Sequence, residues 1–150
     1  MKKLFIICLL ILFSIVSKAQ YANSWGIGFG NPSGISYKTF ISNNKALDIT
    51  LGGFKHYFSL NGMYEIHTPL GKKFQWYYGP GAHIGSWNWG KYGTGIFMGI
   101  DGALGIEFNP SIPFAFSLDL RPALNLVGKD WGNEFHWFWW QSQFAVRYVF

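Results

Sequence analysis

The end of this chain alternates. Counting back from the last residue, Phe150, Tyr148, Val146, Phe144 and Trp140 share one parity, interrupted only by Ser142. The other parity carries Arg147, Gln143 and Gln141, with Val149 and Ala145 between them. Successive side chains of a strand point to opposite faces, so this stretch has one greasy face and one polar face. Two earlier stretches split more cleanly. Over 96–108 the even positions read Ile96, Met98, Ile100, Gly102, Leu104, Ile106 and Phe108, while Asp101 and Glu107 fall on odd positions. Over 114–126 the evens are Phe114, Phe116, Leu118, Leu120, Pro122, Leu124 and Leu126, and the odds hold Ser117, Asp119, Arg121 and Asn125. Strands of this kind belong to a sheet with a different solvent on each face, as in a transmembrane β-barrel with lipid outside and a polar lumen.

The first twenty residues read differently. Lys2 and Lys3 form a positive head, Leu4 to Val16 is an apolar run, and Ser17-Lys18-Ala19 places small residues at −3 and −1 of a cut before Gln20. That run is too short for a membrane helix, which needs about 17–25 apolar residues. Residues 1–19 are therefore expected to be a cleaved signal peptide and 20–150 one barrel domain. Cys8, the single cysteine, sits inside the hydrophobic run with further apolar residues after it, which argues against a lipidated cysteine. Lys2, Lys3 and Lys18 leave with the signal and take the formal charge from +5 to +2, so the basic balance is no argument for nucleic acid. Nothing after residue 20 is long and apolar enough for a membrane helix, and a closed barrel is the other fold that satisfies every backbone hydrogen bond in lipid.

Membrane strands take about 9–11 residues, so eight of them with their turns fit between Gln20 and Phe150. The pattern predicts strands at 24–30, 35–42, 46–54, 58–67, 74–85, 96–108, 114–126 and 139–150. With both termini on the periplasmic side, the outer links are Asn31–Gly34, Lys55–Tyr57, Ser86–Gly95 and Val127–Phe138. The inner ones are Asn43–Lys45, Thr68–Lys73 and Asn109–Pro113. Asn31-Pro32-Ser33-Gly34 and Asn109-Pro110 are strong turn formers, and Asn43-Asn44 tolerates positive φ.

Six of the eight tryptophans fall in two groups, Trp87 with Trp89 and Trp131 with Trp137, Trp139 and Trp140. Both groups map to the outer side. A second set of rings, including Trp25, Phe74, Trp76, Tyr78, Phe108, Phe114, Tyr148 and Phe150, maps to the opposite strand ends. Two aromatic belts one strand length apart are what interfacial girdles look like.

Four stretches carry a resemblance: Gly-x-Gly-x-x-x-Pro-Ser-Gly-x-Ser-Tyr-Lys at 26–38, Trp-Tyr-Tyr-Gly-x-Gly-Ala-His at 76–83, Gly-Ile-Asp-Gly-x-x-Gly-x-Glu at 99–107 and Ser-Leu-Asp-x-x-Pro-Ala at 117–123. With these the chain resembles the small outer-membrane barrels of the outer-membrane protein A and X type in Gram-negative bacteria. The resemblance implies an eight-stranded fold and an outer-membrane location, and no agreed activity. The closing Phe144, Val146, Tyr148 and Phe150 resemble the signal read by the barrel-assembly machinery, which implies that machinery as a partner during insertion.

Lys38, Asp48, Glu65, His67, His83, Asp101, Glu107, Asp119, Arg121 and Arg147 all fall on the non-lipid parity. Side chains fill so narrow a barrel, and buried charges must be paired, so these residues are expected to form a lumenal charge network rather than a pore or proton path. His56 and Ser59 lie together near an outer strand end, with Glu65 farther along the same strand and Glu134 and His136 in the last outer link. A serine nucleophile needs a histidine in contact and a third group orienting it. This spacing is not one known from lipid A modifying barrels, so ordinary rim residues are the leading reading and no catalytic residue is assigned. No two of the four histidines lie within four residues and no cysteine accompanies them, which leaves no metal spacing and no cofactor. Gly26, Gly28 and Gly30 sit on alternate strand positions with no following helix, so inward glycines replace a phosphate loop. Trp87, Trp89, Tyr92, Trp131, Trp137 and Trp139 are expected as outer-loop aromatics, meeting outer-membrane lipid and lipopolysaccharide or forming a surface patch.

The expected protein is thus a monomeric, non-enzymatic, integral outer-membrane barrel contributing to envelope integrity. The alternatives are a lipid A modifying enzyme and a soluble lipocalin-like barrel. The latter needs apolar residues to face inward, where here the charges are.

Overall fold

The alternation becomes eight antiparallel strands closed into a ring, as the residue parity predicts. The computed structural model describes residues 22–88, 90, 93–128 and 138–150. The signal segment, Trp89, Lys91, Tyr92, Trp131, Glu134, His136 and Trp137 lie outside the described residues. The strands are β1 (Asn23–Asn31), β2 (Ser33–Ser42), β3 (Lys45–Phe54), β4 (Tyr57–Pro69), β5 (Phe74–Asn88), β6 (Thr94–Phe108), β7 (Phe114–Gly128) and β8 (Phe138–Val149). Each pairs with its sequence neighbours, and β8 pairs with β1 from Ser24↔Val149 to Asn31↔Ser142, which closes the ring. Backbone bonds between Asn23 and Phe150 tie the two ends together. Closure leaves no free sheet edge.

The strands run farther than the pattern alone suggests. β5 continues to Asn88 and β6 begins at Thr94, because Trp87 pairs with Gly95 and Asn88 with Thr94. The expected link Ser86–Gly95 therefore shrinks to 89–93. The link Asn31–Gly34 shrinks to Pro32, where the Ser33 hydroxyl accepts from the Gly30 amide and donates to the Gly30 carbonyl. At the other end β4 reaches Pro69 rather than stopping at His67.

The burial pattern is inverted relative to a water-soluble sheet. Trp25, Ile49, Ile96, Leu104, Leu118 and Trp140 are exposed on the outer wall, Ile96 at 63% and Trp140 at 64%. Among the described residues, exterior charge is confined to Lys45, Lys55, Lys72 and Lys73, all in links or at the first residue of a strand. The interior holds the polar residues, and its apolar members include Ala46, Ala103, Ala115, Ala123 and Ala145.

Large inward side chains find room over glycines on the adjacent strand. A Cβ at Gly105 would run into the Tyr77 ring, one at Gly81 into Met63 Sδ, and one at Gly28 into the Gln143 amide. Gly85 opens space for Phe97 and Gly95 for Trp87 in the same way. Alternating large and small interior residues is how a small barrel fills its taper.

Gly105→Val is expected to push the Tyr77 ring out of place and destabilise the barrel by about 1–3 kcal/mol, the usual cost of overpacking. Gly71→Val should destabilise by a different route. There φ is +96°, so the cost is backbone strain rather than a clash, and Gly62→Val is the comparison free of both, since a Cβ at Gly62 would meet no atom within 4 Å. Equilibrium unfolding in denaturant, followed by circular dichroism, measures all three.

Candidate functional site

The ten polar residues singled out by parity come from every strand except β1, and all ten are buried inside the barrel. All five Asp and Glu among the described residues, Asp48, Glu65, Asp101, Glu107 and Asp119, lie there with Lys38, Arg121 and Arg147.

Arg147 on β8 is the hub. Its Nη2 donates to Asp48 Oδ2 at 2.6 Å, its Nη1 to Ser117 Oγ at 2.6 Å and its Nε to Ser36 Oγ at 3.0 Å. One guanidinium thereby ties β8 to β2, β3 and β7, using all three nitrogens in the planar fork that suits arginine to such sites. Lys38 on β2 is the second hub. Its Nζ lies 2.7 Å from Glu65 Oε2 on β4 and donates to Glu107 Oε2 on β6 at 3.0 Å. Its ammonium also stands 4.5 Å over the Tyr77 ring, a cation–π placement. Arg121 grips Asp119 with two nitrogens, at 2.9 and 3.2 Å, while Gln143 accepts from the same guanidinium at 3.2 Å. Tyr77 donates its hydroxyl to Asp119 at 2.8 Å, and Gln75 and Asn109 donate to Glu107 at 2.7 and 3.1 Å. Glu65 also meets His67 at 2.9 Å. Asp48, Glu107 and Asp119 are thereby supplied with the donors that a buried charge requires, whereas Glu65 meets both Lys38 and His67 through Oε2.

A second polar group lies toward the end of the lumen opposite the chain termini. His83 on β5 places Nδ1 2.7 Å from Asp101 on β6 and Nε2 2.8 Å from Asn125 on β7. Above it sits a layer of rings. Phe97 lies 5.7 Å from both His83 and Trp139, Tyr57 packs on Phe97 and Trp139, and Trp139 stacks on His83 at 5.8 Å and 29°. The Tyr57 hydroxyl donates to Asn31.

Two of the expected loop aromatics therefore need correction. Trp87 is not a loop residue: it lies in β5 and is only 4% exposed, turned inward over Gly95. Trp139 lies in β8 on the same parity as Gln141 and Gln143, with its ring in the inner layer. Parity places both inward, since Trp87 follows Tyr77 and His83 at even spacing. The surrounding glycines and asparagines disguise this as loop. Trp89, Tyr92, Trp131 and Trp137 are outside the described residues.

Residues that the charge search passed over complete the lumen. Tyr77, Gln75, Asn61, Gln141, Gln143, Ser36 and Ser117 share the inward parity, and neutral polar side chains with that parity are the available signal. The candidate serine–histidine pair is not assembled. Ser59 is buried and accepts from Asn61 at 3.0 Å, whereas His56 is exposed in the β3–β4 link. Glu65 lies six residues along β4 from Ser59, roughly 20 Å at strand rise. Among the described residues no cluster of three His, Cys, Asp or Glu is placed to hold a metal.

What the lumen can do chemically is hold charge in fixed geometry across strands distant in sequence. No protein-family model matches the chain, and neither a curated protein nor a solved structure shows significant similarity to it.

Arg147→Met should destabilise the fold by about 3–5 kcal/mol, because Asp48 is left buried with its closest partner gone. Asp48→Asn in the same chain should restore part of that loss. A double-mutant cycle on unfolding free energies checks it, and additive losses would mean the two side chains do not act as a pair.

Proposed function

We propose that the chain is an integral outer-membrane protein of the outer-membrane protein A and X type, a non-enzymatic barrel that contributes to envelope structure. The observation that carries this reading is the inverted polarity of the wall. Its outward face is apolar from β1 round to β8, exterior charge among the described residues is limited to links and one strand start, and the described acids are all inside. In water such a surface is an aggregation hazard, whereas in a bilayer it is the required one.

In this reading orientation follows from link length, since the longest link, 129–137, lies at the end away from the termini and long links are extracellular in such barrels. At the end that carries the termini, Phe74 stacks on Phe108, Phe108 meets Phe116, and Phe114 meets Tyr148, which stacks on Phe150. In this reading that end is periplasmic, and Lys45, Lys72 and Lys73 lie beside the headgroups of the inner leaflet. Phe144, Val146, Tyr148 and Phe150 share the outward parity of β8, where the barrel-assembly machinery would read them. The strand ends at Asn88, Thr94, Gly128 and Phe138 then lie on the outer side, beside lipopolysaccharide and any surface contact. The closed ring, with no edge to pair, supports a monomer.

The lumen weighs against the two alternatives. A lipocalin-like carrier needs an apolar cavity where Arg147 and Lys38 are, and a lipid A modifying enzyme would need Ser59 in contact with a histidine and open to the membrane surface.

The test is cell fractionation, followed by electrophoresis in SDS with and without boiling. The expected result is an outer-membrane protein whose unboiled band migrates away from the boiled one. A soluble protein without a heat shift would reverse the assignment of wall and lumen. In addition, Ile100→Arg, at the middle of β6, should weaken folding into vesicles by about 2–4 kcal/mol, the cost of arginine near the bilayer midplane. Thr94→Arg, at the start of the same strand, should change it far less.

A further inference from the structure

The outward mid-strand positions are large on most strands, as at Ile27, Tyr37, Ile49 and Phe144, and small at Gly62 on β4, which pairs with Ala82. At the middle of β5, β6 and β7 they are Pro80, Gly102 and Pro122, aligned in a row across the strands. Pro80 pairs with Gly102, Gly102 lies opposite Pro122, and Pro122 pairs with Trp140 on β8. A Cβ at Gly102 would touch only the Pro122 ring, at 3.3 and 3.8 Å. The result is a groove of about 470 Å³ bounded by Tyr78, Pro80, Gly102, Leu104, Pro122 and Trp140.

The groove is held open at the expense of hydrogen bonding. Proline has no N–H to donate and is rarely found within a paired strand. Beside Pro80 the β4–β5 pairing skips from Met63↔Gly81 to Ile66↔Tyr78. Beside Pro122 the β6–β7 pairing skips from Asp101↔Ala123 to Leu104↔Leu120. The β5–β6 ladder between them runs unbroken from Phe74↔Phe108 to Asn88↔Thr94. A leucine or valine at either proline would fill the wall and restore a donor. The sequence does neither, at two sites that border one depression. The aromatic borders are braced, Tyr78 by stacking on Trp76 at 5.2 Å and Trp140 edge-to-face with Phe138 at 5.5 Å.

We propose that this groove seats one hydrocarbon chain of a membrane lipid. The inference rests on the membrane reading above and names a bound partner for the wall. The lining decides the chemistry. Proline rings, leucine and the faces of Tyr78 and Trp140 present carbon, and no charged residue borders the depression, so a polar or ionic ligand has nothing to bind. A flexible chain conforms to a shallow trough and recovers the dispersion contacts that an unfilled depression forfeits. The groove also opens on the face that lipid covers in this reading, so the occupant needs no entry path.

The test uses the full barrel folded into vesicles of phosphatidylethanolamine and phosphatidylglycerol, extracted into mild detergent and weighed by native mass spectrometry. Wild type is expected to retain one lipid per barrel. Gly102→Leu fills the trough, and its lipid occupancy should fall about tenfold, as losing the burial of two methylenes predicts. Pro122→Leu fills it from the other side while returning a backbone donor, so it keeps the test decisive if Gly102→Leu fails to fold; the same fall is expected. Equal retention by wild type and a folded variant, or no retained lipid on wild type, overturns the proposal. A wild-type dimer that the filled variants lose would put a second copy in the groove and overturn it too. If wild type does not enter vesicles at all, the membrane reading fails first. If it enters and shows the heat shift but retains lipid no differently from the variants, the groove alone is disproved.

Discussion

A ring of eight strands is only wide enough for its own side chains, and this protein puts charge there. That choice governs the rest. Each ionised group inside needs a partner within the same narrow space, and partners on adjacent strands are not enough. Arg147 reaches Asp48, Ser36 and Ser117, and Lys38 reaches Glu65 and Glu107, so the charges bind together strands that are not sheet neighbours. A one-residue slip in any of these strands would turn its charged side chain onto the apolar wall and leave its partner buried alone. The network therefore specifies register as well as neutralising charge.

The wall obeys a complementary constraint. With polar groups gathered inside, the outside is left to aliphatic and aromatic residues, and the backbone must satisfy itself through the ladders. It does so along most of every strand, and closure through β1 and β8 removes the edge where pairing would otherwise end. The interruptions at Pro80 and Pro122 are local, share one depression and leave the ladder between them whole. Strand lengths follow the same logic: β5, β6 and β7 have 15 residues each, and their extra pairs turn expected loop into wall.

Much of this is legible in the chain because a strand has a period of two. Parity alone separates Leu118 and Leu120 from Asp119 and Arg121, and the same rule applied to β6 and β8 yields a two-faced sheet. Strand ends are less legible. Around Trp87 the glycine and asparagine content signals loop, and only the partner strand shows that Gly95 is spaced to receive the indole. Which charges pair across the barrel is not legible. That Lys38 meets Glu107, distant in sequence, depends on strand tilt and stagger around the ring, which no local pattern encodes. The prolines mislead in the other direction, since proline within a run ordinarily argues against a paired strand.

The glycine-for-bulk exchange has a consequence for how such a chain acquires its shape. Tyr77 with Gly105, Met63 with Gly81, Phe97 with Gly85 and Trp87 with Gly95 each join successive strands, so these fits are complete as soon as a single hairpin exists. Gln143 with Gly28 joins the last strand to the first and must wait for the ring to shut. The salt links of Arg147 and Lys38 wait as well. Bulk is thus matched early and locally, and so is part of the charge, since Asp119 meets Arg121 on one strand and Asp101 meets His83 across one hairpin. Asp48 and Glu107 wait for Arg147 and Lys38, so a half-built sheet carries well-seated rings beside two acids that only the curled ring supplies with those partners.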